Sequence, residues 1–504
     1  MIMRTPKIKR IALITPPYHA GVVEAAGTWL NLGFVYIAGA LRDAGYEVDY
    51  YDAMSLWHDW PHIQARIMDF APDVVSTTAF TASIVDATRL LEMAKNINPE
   101  VITVLGNVHA SFCYDELLLS QKSIDYIVRG EGENTLPALL NCLNAQDNPA
   151  KIAGLAFHRD GGVIATPAAP FIKDLDKLNP AWDLVEWPIY SYHPKPGSRL
   201  AIVSSARGCL QNCSFCSQQL FWQRTWRPRT AENFVAELEF LNQKYGVNVA
   251  MLADEIPTQD KERWERILDL MIARQIKVKL MMETRVDNIL RDEKIMDKYQ
   301  QAGVEHIYVD VEARSQALLD LFNKGTKVEQ SKRAIEIINQ SDIVSETSFV
   351  LGMPEETPES ISATIELAKH YNPDMVFFLA IAPWPYADLY PNLKDYVVSH
   401  DYRQYNLVEP VVKPINMELS EMENELGRAA QNFYMHKFKN LNLLSAWKQK
   451  FMLEVFKILV NNSYLAKQMK SMGHGGASMP PELKQILAQV AKNDKKLYNI
   501  APIP

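Results

Sequence analysis

Three of the five cysteines of this 504-residue chain lie in one short segment, at Cys209, Cys213 and Cys216. The segment follows an apolar run, so a short loop at the end of a strand brings the three sulfurs around one point. Three thiolates can ligate three irons of a cubane [4Fe–4S] cluster and leave the fourth iron open to a substrate. No fourth ligand lies nearby to close a zinc site. The spacing therefore favours an iron–sulfur cluster over zinc or over three unrelated buried cysteines.

The other two cysteines, Cys113 and Cys142, stand alone, whereas a disulfide framework would distribute the cysteines differently. We therefore expect a reducing compartment and place the protein in the cytoplasm. The apolar run near the N-terminus is too short to span a membrane and lacks a small-residue cleavage site. Mixed basic and apolar helices in the C-terminal third leave peripheral membrane contact open. The net charge of −8 gives no reason to expect a nucleic-acid partner.

Residues 1–148 alternate between short β-rich apolar runs and amphipathic helical stretches. Strands that alternate with helices indicate a parallel sheet in an α/β domain. Five such strands suit a flavodoxin-like, Rossmann-type, doubly wound sheet. Residues 149–196 contain a predicted β-hairpin around Gly161 and then a proline-rich stretch with several aromatic residues, which we interpret as an interdomain linker.

A second α/β series occupies residues 197–395 and contains six strand–helix units. Six units are too many for a second flavodoxin-like domain and too few for a complete eight-stranded barrel. They predict a partial (β/α)6 TIM-like barrel, with the cysteine segment at its C-terminal mouth, where such folds keep their sites. Over residues 396–504 the β pattern fades, and a helical period predicts a mostly helical C-terminal domain.

The predicted strand ends of the N-terminal domain carry glycines and small hydroxyl residues. In open α/β sheets, ligands bind beyond the carboxyl ends of the strands. Glycine permits the close approach of a large flat ligand, and hydroxyl groups supply hydrogen bonds. No GxGxxG follows the first strand, which disfavours a dinucleotide. The residues that we predict to bind the ligand are Pro17, Tyr18, His19, Thr77, Thr78, Phe80, Gly106, Asn107, His109, Gly130, Glu131 and Gly132.

The CxxxCxxC spacing, with Phe215 just before the last cysteine, resembles the signature of the radical S-adenosylmethionine superfamily. The segment Leu252–Pro257 resembles the GGEP-type motif of that superfamily, with its glycines replaced. The resemblance implies a [4Fe–4S] cluster on the three cysteines and S-adenosylmethionine as a second cofactor. The residues that it implies for S-adenosylmethionine are Phe215, Asp254, Glu255, Thr284, Arg285, Glu312 and Leu351. A single charged residue at a strand end is more often solvated or structural, so the argument depends on their recurrence at successive strands.

The N-terminal domain resembles the cobalamin-binding domain that precedes many radical S-adenosylmethionine domains. Its strand ends lack the DxHxxG motif that supplies an axial histidine. The resemblance therefore implies cobalamin bound base-off, without a histidine in place of its displaced base. Two alternatives stay open, that His19 and His109 are ordinary loop histidines, and that the domain has lost cobalamin.

Across residues 8–440 the chain resembles the anaerobic, oxygen-independent magnesium-protoporphyrin IX monomethyl ester cyclases, most specifically in the segments PWPYADLYP and YNLVEPVVKP. The resemblance implies that the methyl-esterified propionate of a Mg-porphyrin is oxidised and joined to the neighbouring meso carbon, forming the isocyclic ring of protochlorophyllide. It also implies hydrogen abstraction by a 5′-deoxyadenosyl radical and reduction of the cluster by ferredoxin or flavodoxin. Aromatic walls and a basic anchor suit such a substrate. The candidates are Trp222, Arg227, Trp384 and Tyr386.

Two further hypotheses compete with the cyclase. A cobalamin-dependent radical S-adenosylmethionine methyltransferase would use the same two domains on another substrate and would yield S-adenosylhomocysteine. A tetrapyrrole- or cobalamin-binding protein without turnover would need no reactive cluster, and the intact cysteine motif argues against it.

Overall fold

The structure of the protein is a computed structural model that describes residues 7–20, 23–159 and 161–462. The part of the predicted C-terminal helical domain that follows residue 462 lies outside the described residues. None of the described helices is long and apolar enough to cross a membrane.

The described strands form two large sheets and two short antiparallel ribbons. In chain order they are β1 (Arg10–Ile14), β2 (Gly27–Thr28), β3 (Glu47–Tyr51), β4 (Val74–Thr78), β5 (Ile102–Gly106), β6 (Tyr126–Val128), β7 (Leu155–Arg159), β8 (Gly162–Ala165), β9 (Ser191–Tyr192), β10 (Leu200–Val203), β11 (Ala206–Gly208), β12 (Trp226–Pro228), β13 (Val249–Leu252), β14 (Lys279–Thr284), β15 (Val304–Glu312), β16 (Val344–Leu351) and β17 (Met375–Ala380).

The described helices pack on both faces of the first sheet, around the second sheet and at the C-terminal end. They are α1 (Val23–Ala26), α2 (Leu32–Asp43), α3 (Trp60–Phe70), α4 (Ile84–Ile97), α5 (Val108–Phe112), α6 (Tyr114–Ser120), α7 (Gly132–Asn144), α8 (Gln218–Phe221), α9 (Ala231–Tyr245), α10 (Lys261–Ala273), α11 (Val286–Asp292), α12 (Met296–Ala302), α13 (Gln316–Leu321), α14 (Val328–Gln340), α15 (Pro358–Tyr371), α16 (Tyr390–Leu393), α17 (Leu419–Lys439) and α18 (Ala446–Asn462).

The first sheet has the strand order β3-β1-β4-β5-β6-β7-β8. Its first five strands are parallel, and their order is that of a flavodoxin-like doubly wound sheet, which confirms the predicted fold class. The predicted hairpin is present as β7 and β8, and β7 pairs antiparallel with β6. The sheet therefore extends past residue 148, the predicted end of the N-terminal domain.

The second sheet is fully parallel, and its strands β10, β13, β14, β15, β16 and β17 follow one another in chain order. This is the predicted partial (β/α)6 barrel. Strand β16 is buried at every position although it contains Ser345, Glu346, Thr347 and Ser348. Buried polar groups need hydrogen-bond partners, so the barrel encloses a polar network as well as an apolar core.

The proline-rich segment between the two sheets is packed. Trp182, Trp187 and Tyr190 are buried in the same apolar cluster as the first barrel strand. The Tyr190 hydroxyl donates a hydrogen bond of 2.8 Å to Asp52, beside the first sheet. This segment therefore joins the two sheets through its own buried side chains.

Two buried lysines dock the C-terminal helices on the barrel. Asp374, just before β17, accepts a hydrogen bond of 2.7 Å from Lys448 of α18 and lies 3.6 Å from Lys437 of α17. All three side chains are at most 4 % exposed. Each lysine is buried together with the carboxylate that compensates its charge.

Asp374→Ala should lower the free energy of unfolding by about 3–5 kcal/mol, because it leaves two buried ammonium groups without their carboxylate. Urea unfolding followed by circular dichroism measures the change. The control is Glu366→Ala, which removes the exposed partner of Lys369 and should change stability by less than about 0.5 kcal/mol. Equal effects of the two substitutions would contradict the docking role of Asp374.

Candidate functional site

A cavity of about 440 Å³ lies between the first sheet and the barrel. The carboxyl ends of β4, β5 and β6 form one wall, and residues that follow β10 and β13 form the other. Eight of the predicted ligand-binding residues line it: Thr77, Thr78, Phe80, Gly106, Asn107, Gly130, Glu131 and Gly132. Phe80 remains 55 % exposed beside it. The cavity has the apolar and glycine-rich wall that a large flat ligand requires.

The other four residues predicted for this ligand do not line the cavity. Pro17 and Tyr18 belong to a loop whose tyrosine hydroxyl donates a hydrogen bond to the Arg403 carbonyl oxygen. His19 stacks on Trp57 with ring centroids 3.9 Å apart.

His109 belongs to α5, is not among the residues that line the cavity and is 1 % exposed. Its Nδ1 lies 3.1 Å from the Thr81 hydroxyl, and its ring contacts Tyr402. Burial lowers the pKa of His109 to about 4, so its imidazole is neutral near pH 7. The structure thus gives His109 a packing role.

The three cysteines lie on the loop that follows β11. The backbone N–H groups of Gln211 and Gln218 each point at a sulfur, Cys209 and Cys216 respectively, at 3.4 Å. Burial raises the pKa of Cys209 to about 11 and that of Cys216 to about 12. A bound metal ion favours the thiolate, and N–H groups aimed at sulfur stabilise its charge. This donor set fits a cluster with one open iron.

The cysteine loop is held by the segment that follows α13. Ser214 donates its backbone N–H to the Phe322 carbonyl and its hydroxyl to the Leu321 carbonyl. Phe215 packs edge-on against Phe322, with centroids 5.1 Å apart. Among the described residues, the His, Cys, Asp and Glu side chains form no group of three that could hold a single metal ion.

A buried ion-pair network joins the first domain to the start of the cysteine loop. Arg207 donates hydrogen bonds to Glu131 at 2.7 Å and to Glu133 at 2.6 Å. Arg227, opposite Arg207 in the β11–β12 ribbon, donates two hydrogen bonds to Glu131 and one to the Ile172 carbonyl. The four side chains are between 5 % and 13 % exposed. The predicted substrate anchor Arg227 is thus already paired with a carboxylate.

Glu255 and Trp222 form a second link between the cavity and the cysteine loop. Glu255 accepts hydrogen bonds from the Trp222 indole at 2.6 Å and from the Gly208 backbone N–H at 3.2 Å. Both side chains line the cavity. The neighbouring Asp254 accepts both the backbone N–H and the hydroxyl of Ser205. These two carboxylates, predicted to contact S-adenosylmethionine, therefore have partners on both sides of the cysteine loop: Ser205 and Gly208 precede it and Trp222 follows it.

The barrel interior beside the cysteines contains a compact charged group. Lys324 is 2 % exposed and contacts Asp310 and, at 3.2 Å, Glu312. Arg285 donates a hydrogen bond to the Lys324 carbonyl and another to Asp287. The structure thus brings the predicted residues Arg285 and Glu312 together through Lys324.

Two further predicted residues lie in different surroundings. Thr284 shares a hydrogen bond of 2.5 Å with Thr258, whereas Leu351 belongs to an apolar cluster with Ile361 and Met422. Leu351 therefore packs against the helices that cover the barrel.

The segment after β17 reaches across to the first domain. Tyr386 shares a hydrogen bond of 2.8 Å with Thr81 and stacks on Phe112 with centroids 4.9 Å apart. Asp388 accepts a hydrogen bond from Gln219, just after the cysteine loop. Trp384 is partly buried in the same segment. We call residues 383–405 the cover segment, because they contact both the first domain and the barrel.

The sequence did not single out Lys324 or Asp310, and it indicated Glu283 only as part of the Glu283-Thr284-Arg285 segment that closes the third barrel strand. Burial, together with the negative charges of Glu255 and Asp310, raises the pKa of Glu283 to about 8. Glu283 directly precedes Thr284, the predicted residue that ends β14, so its position carried a signal. Lys324 lies on a turn between two helices, and the pattern of strand ends gives no signal at such a position.

The families that the chain matches divide it at the same place as the two sheets. A family model described as B12 binding domain matches residues 18–140, and one described as Radical SAM superfamily matches residues 203–368. The anaerobic magnesium-protoporphyrin IX monomethyl ester cyclase of Rubrivivax gelatinosus is 39% identical over 85% of this chain and 78% of its own length. The protein of the same name from Cereibacter sphaeroides is 38% identical over 85% of this chain and 71% of its own length.

This chain belongs to the anaerobic magnesium-protoporphyrin IX monomethyl ester cyclase family. The solved structure of OxsB, a cobalamin-dependent S-adenosylmethionine radical enzyme, superimposes with a TM-score of 0.67 at 17% identity. The match covers 98% of this chain and 76% of that chain, and it shows the shared fold. The cyclase family thus combines the two domains whose facing surfaces form the cavity.

Gly208→Ala should prevent normal cluster loading. Gly208 has a φ of +98°, and an added Cβ would lie 2.0 Å from the Thr225 carbonyl oxygen. The expected result is a loss of most of the iron and sulfide bound after anaerobic reconstitution, measured by chemical analysis. The matched control is Gly197→Ala, where φ is +79° and no atom lies within 4 Å of the added Cβ. Equal iron contents in the two variants would contradict the steric argument.

Glu283→Gln should remove a pH dependence of stability. The pKa of about 8 in the folded protein lies above the ordinary value of 4.5, so the folded form binds more protons between these values. The free energy of unfolding of the cluster-free protein should therefore fall as pH rises from 5 towards 8, by a few kcal/mol at most, since one pKa unit corresponds to about 1.4 kcal/mol. The variant should lack this fall in urea unfolding. Parallel pH profiles for the two proteins would show the assignment to be wrong.

Proposed function

We propose that this chain forms the isocyclic ring of protochlorophyllide from magnesium-protoporphyrin IX monomethyl ester without dioxygen. The observation that carries the proposal is that the cysteine loop and the interdomain cavity share a wall made by Arg207, Trp222 and Glu255. Two cofactor sites that share a wall suit a reaction that uses both. The membership of the cyclase family supplies the substrate, a Mg-porphyrin.

Three cofactors fit the residues. Cys209, Cys213 and Cys216 are proposed to hold a [4Fe–4S] cluster, the polar barrel interior to hold S-adenosylmethionine, and the cavity to hold cobalamin. Together these groups supply hydrogen-atom abstraction and one-electron chemistry that side chains lack. The protein supplies placement, exclusion of water and charge compensation.

The charges of the barrel interior suit a ligand that carries both signs. S-adenosylmethionine has a carboxylate, an ammonium group and a sulfonium centre. Arg285 can pair with a carboxylate, Glu312 can compensate positive charge, and a cation bound beside Glu283 would favour the ionised form of that carboxyl. Lys324 already neutralises part of the Glu312 charge, which leaves Glu283 as the less compensated carboxylate. We therefore propose Glu283, beside the predicted residues, as part of this site.

The substrate is proposed to bind between the cover segment and Phe80, at the edge of the cavity. Phe80 is exposed there, and Trp384 and Tyr386 lie on the cover segment. These aromatic rings suit a flat macrocycle. Of the other two predicted substrate residues, Trp222 lines the cavity, and the Arg227 guanidinium is hydrogen-bonded to Glu131. Reduced ferredoxin or flavodoxin is proposed to supply electrons to the cluster.

Anaerobic assay of the reconstituted protein with magnesium-protoporphyrin IX monomethyl ester, S-adenosylmethionine, cobalamin and a reductant should yield protochlorophyllide, followed by absorption spectroscopy and mass spectrometry. 5′-Deoxyadenosine should accumulate with it. Methylated product together with S-adenosylhomocysteine would identify a methyltransferase instead. Absence of any tetrapyrrole product from protein with a complete cluster would overturn the cyclase assignment.

Cys213→Ala should lose the cluster, S-adenosylmethionine cleavage and product formation together, because two thiolates cannot hold the cubane at three irons. Cys142→Ala, at the end of α7 and remote from the cysteine loop in sequence, is the matched control and should keep all three. Iron content and 5′-deoxyadenosine yield are measured for both. Retained S-adenosylmethionine cleavage in Cys213→Ala would contradict the assignment of the cluster ligands.

A further inference from the structure

Two hydrogen-bonded routes run from the wall of the cavity to the same two residues, Arg207 and Gly208. The first route starts at the N-terminal end of α7, where Glu131 and Glu133 line the cavity and bind the Arg207 guanidinium. The second starts at the indole of Trp222, which binds Glu255, and Glu255 accepts the backbone N–H of Gly208. Cys209 is the next residue in the chain.

The positions of Arg207 and Gly208 are tightly constrained by their surroundings. Gly208 is buried, and an added Cβ would lie 2.0 Å from the Thr225 carbonyl oxygen, so a side chain has no room there. Arg207 faces Arg227 across the ribbon, and like charges that face each other repel unless a counter-charge separates them. Glu131 binds both guanidinium groups and so provides it. A shift of Glu131 therefore directly changes how far the positive charge of the Arg207 guanidinium is compensated.

We propose that the Arg207-Gly208 dipeptide couples occupancy of the interdomain cavity to the affinity of the cluster site for S-adenosylmethionine. A ligand in the cavity contacts Gly130–Glu133, at the start of α7, and the Trp222 ring and restricts both. This restriction fixes the start of the cysteine loop before S-adenosylmethionine binds, so the second ligand has less ordering to bring about. Trp222, Glu255 and Glu131 are positioning residues in this scheme, which rests on the proposed function because it takes the cavity ligand to be cobalamin.

Linkage makes the coupling measurable in both directions. If cobalamin tightens S-adenosylmethionine binding by some factor, S-adenosylmethionine must tighten cobalamin binding by the same factor. Couplings of this kind commonly amount to a factor of about 5 or more. Equilibrium dialysis of the cluster-loaded protein gives the two dissociation constants with and without the other ligand.

Trp222→Phe tests the second route with the smallest change. It keeps an aromatic ring on the cavity wall and removes the N–H that binds Glu255. The expected result is a coupling factor near 1, with cluster content unchanged. The matched control is Trp226→Phe in β12, four residues along the chain, whose indole donates to the Ile256 carbonyl and which does not line the cavity. That variant should keep the coupling factor of the unchanged protein.

A spectroscopic measurement separates positioning from simple loss of packing. The iron Mössbauer spectrum of the cluster with S-adenosylmethionine bound should change when cobalamin fills the cavity of the unchanged protein. The same spectrum of Trp222→Phe should not respond to cobalamin. Glu133→Gln, which weakens the first route while Glu131 still separates the two arginines, should reduce the coupling factor in part.

The outcomes distinguish this inference from the proposed reaction. A coupling factor of 1 in the unchanged protein, or an undiminished factor in Trp222→Phe, would overturn the inference and leave the cyclase assignment standing. Failure of cobalamin to bind would overturn the inference together with the cobalamin assignment. Full coupling in a protein that gives no tetrapyrrole product would support the inference. That result would count only against the proposed cyclase reaction.

Discussion

The contact on which the site depends is the buried pairing of Glu131 and Glu133 with Arg207 and Arg227. Ions removed from water are costly unless they are paired, so these four charges can be buried only together. The two glutamates belong to the first domain, and the two arginines belong to the ribbon that leads into the cysteine loop. The pairing therefore fixes where the cysteine loop stands relative to the strand ends of the first sheet, and it encloses one end of the cavity between them.

Much of the fold followed from local pattern. Alternating apolar strands and amphipathic helices predict both parallel sheets, because the period of the side chains and the length of each run are local properties. The attachment of β7 to β6 was not predictable in this way, since pairing partners of a hairpin are set by the edge that lies nearest in space. For the same reason the hairpin itself was predictable, but its membership of the first sheet was not.

The site was predictable in outline but not in the partners of each residue. The strand-end rule places Thr77, Gly106 and Glu131 on one cavity wall, as the structure has them. It cannot tell a carboxylate that is free for a ligand from one, such as Asp254, that already accepts two hydrogen bonds from Ser205. It also has no means of finding Lys324, which reaches Asp310 and Glu312 from a turn outside the strand pattern.

The cover segment gives the chain a property that its two-domain division hides. Tyr386 and Tyr402 hold it against Thr81 and His109, while Gln219 holds it beside the cysteine loop. The first domain therefore contacts the cover segment, which follows the barrel strands in sequence. Through Glu131 and Glu133 it also contacts Arg207, near the start of the barrel sequence. The two halves are therefore not interchangeable modules: an exchange of the first domain with that of a relative would have to carry the matching cover segment, although the sequence between them spans the entire barrel.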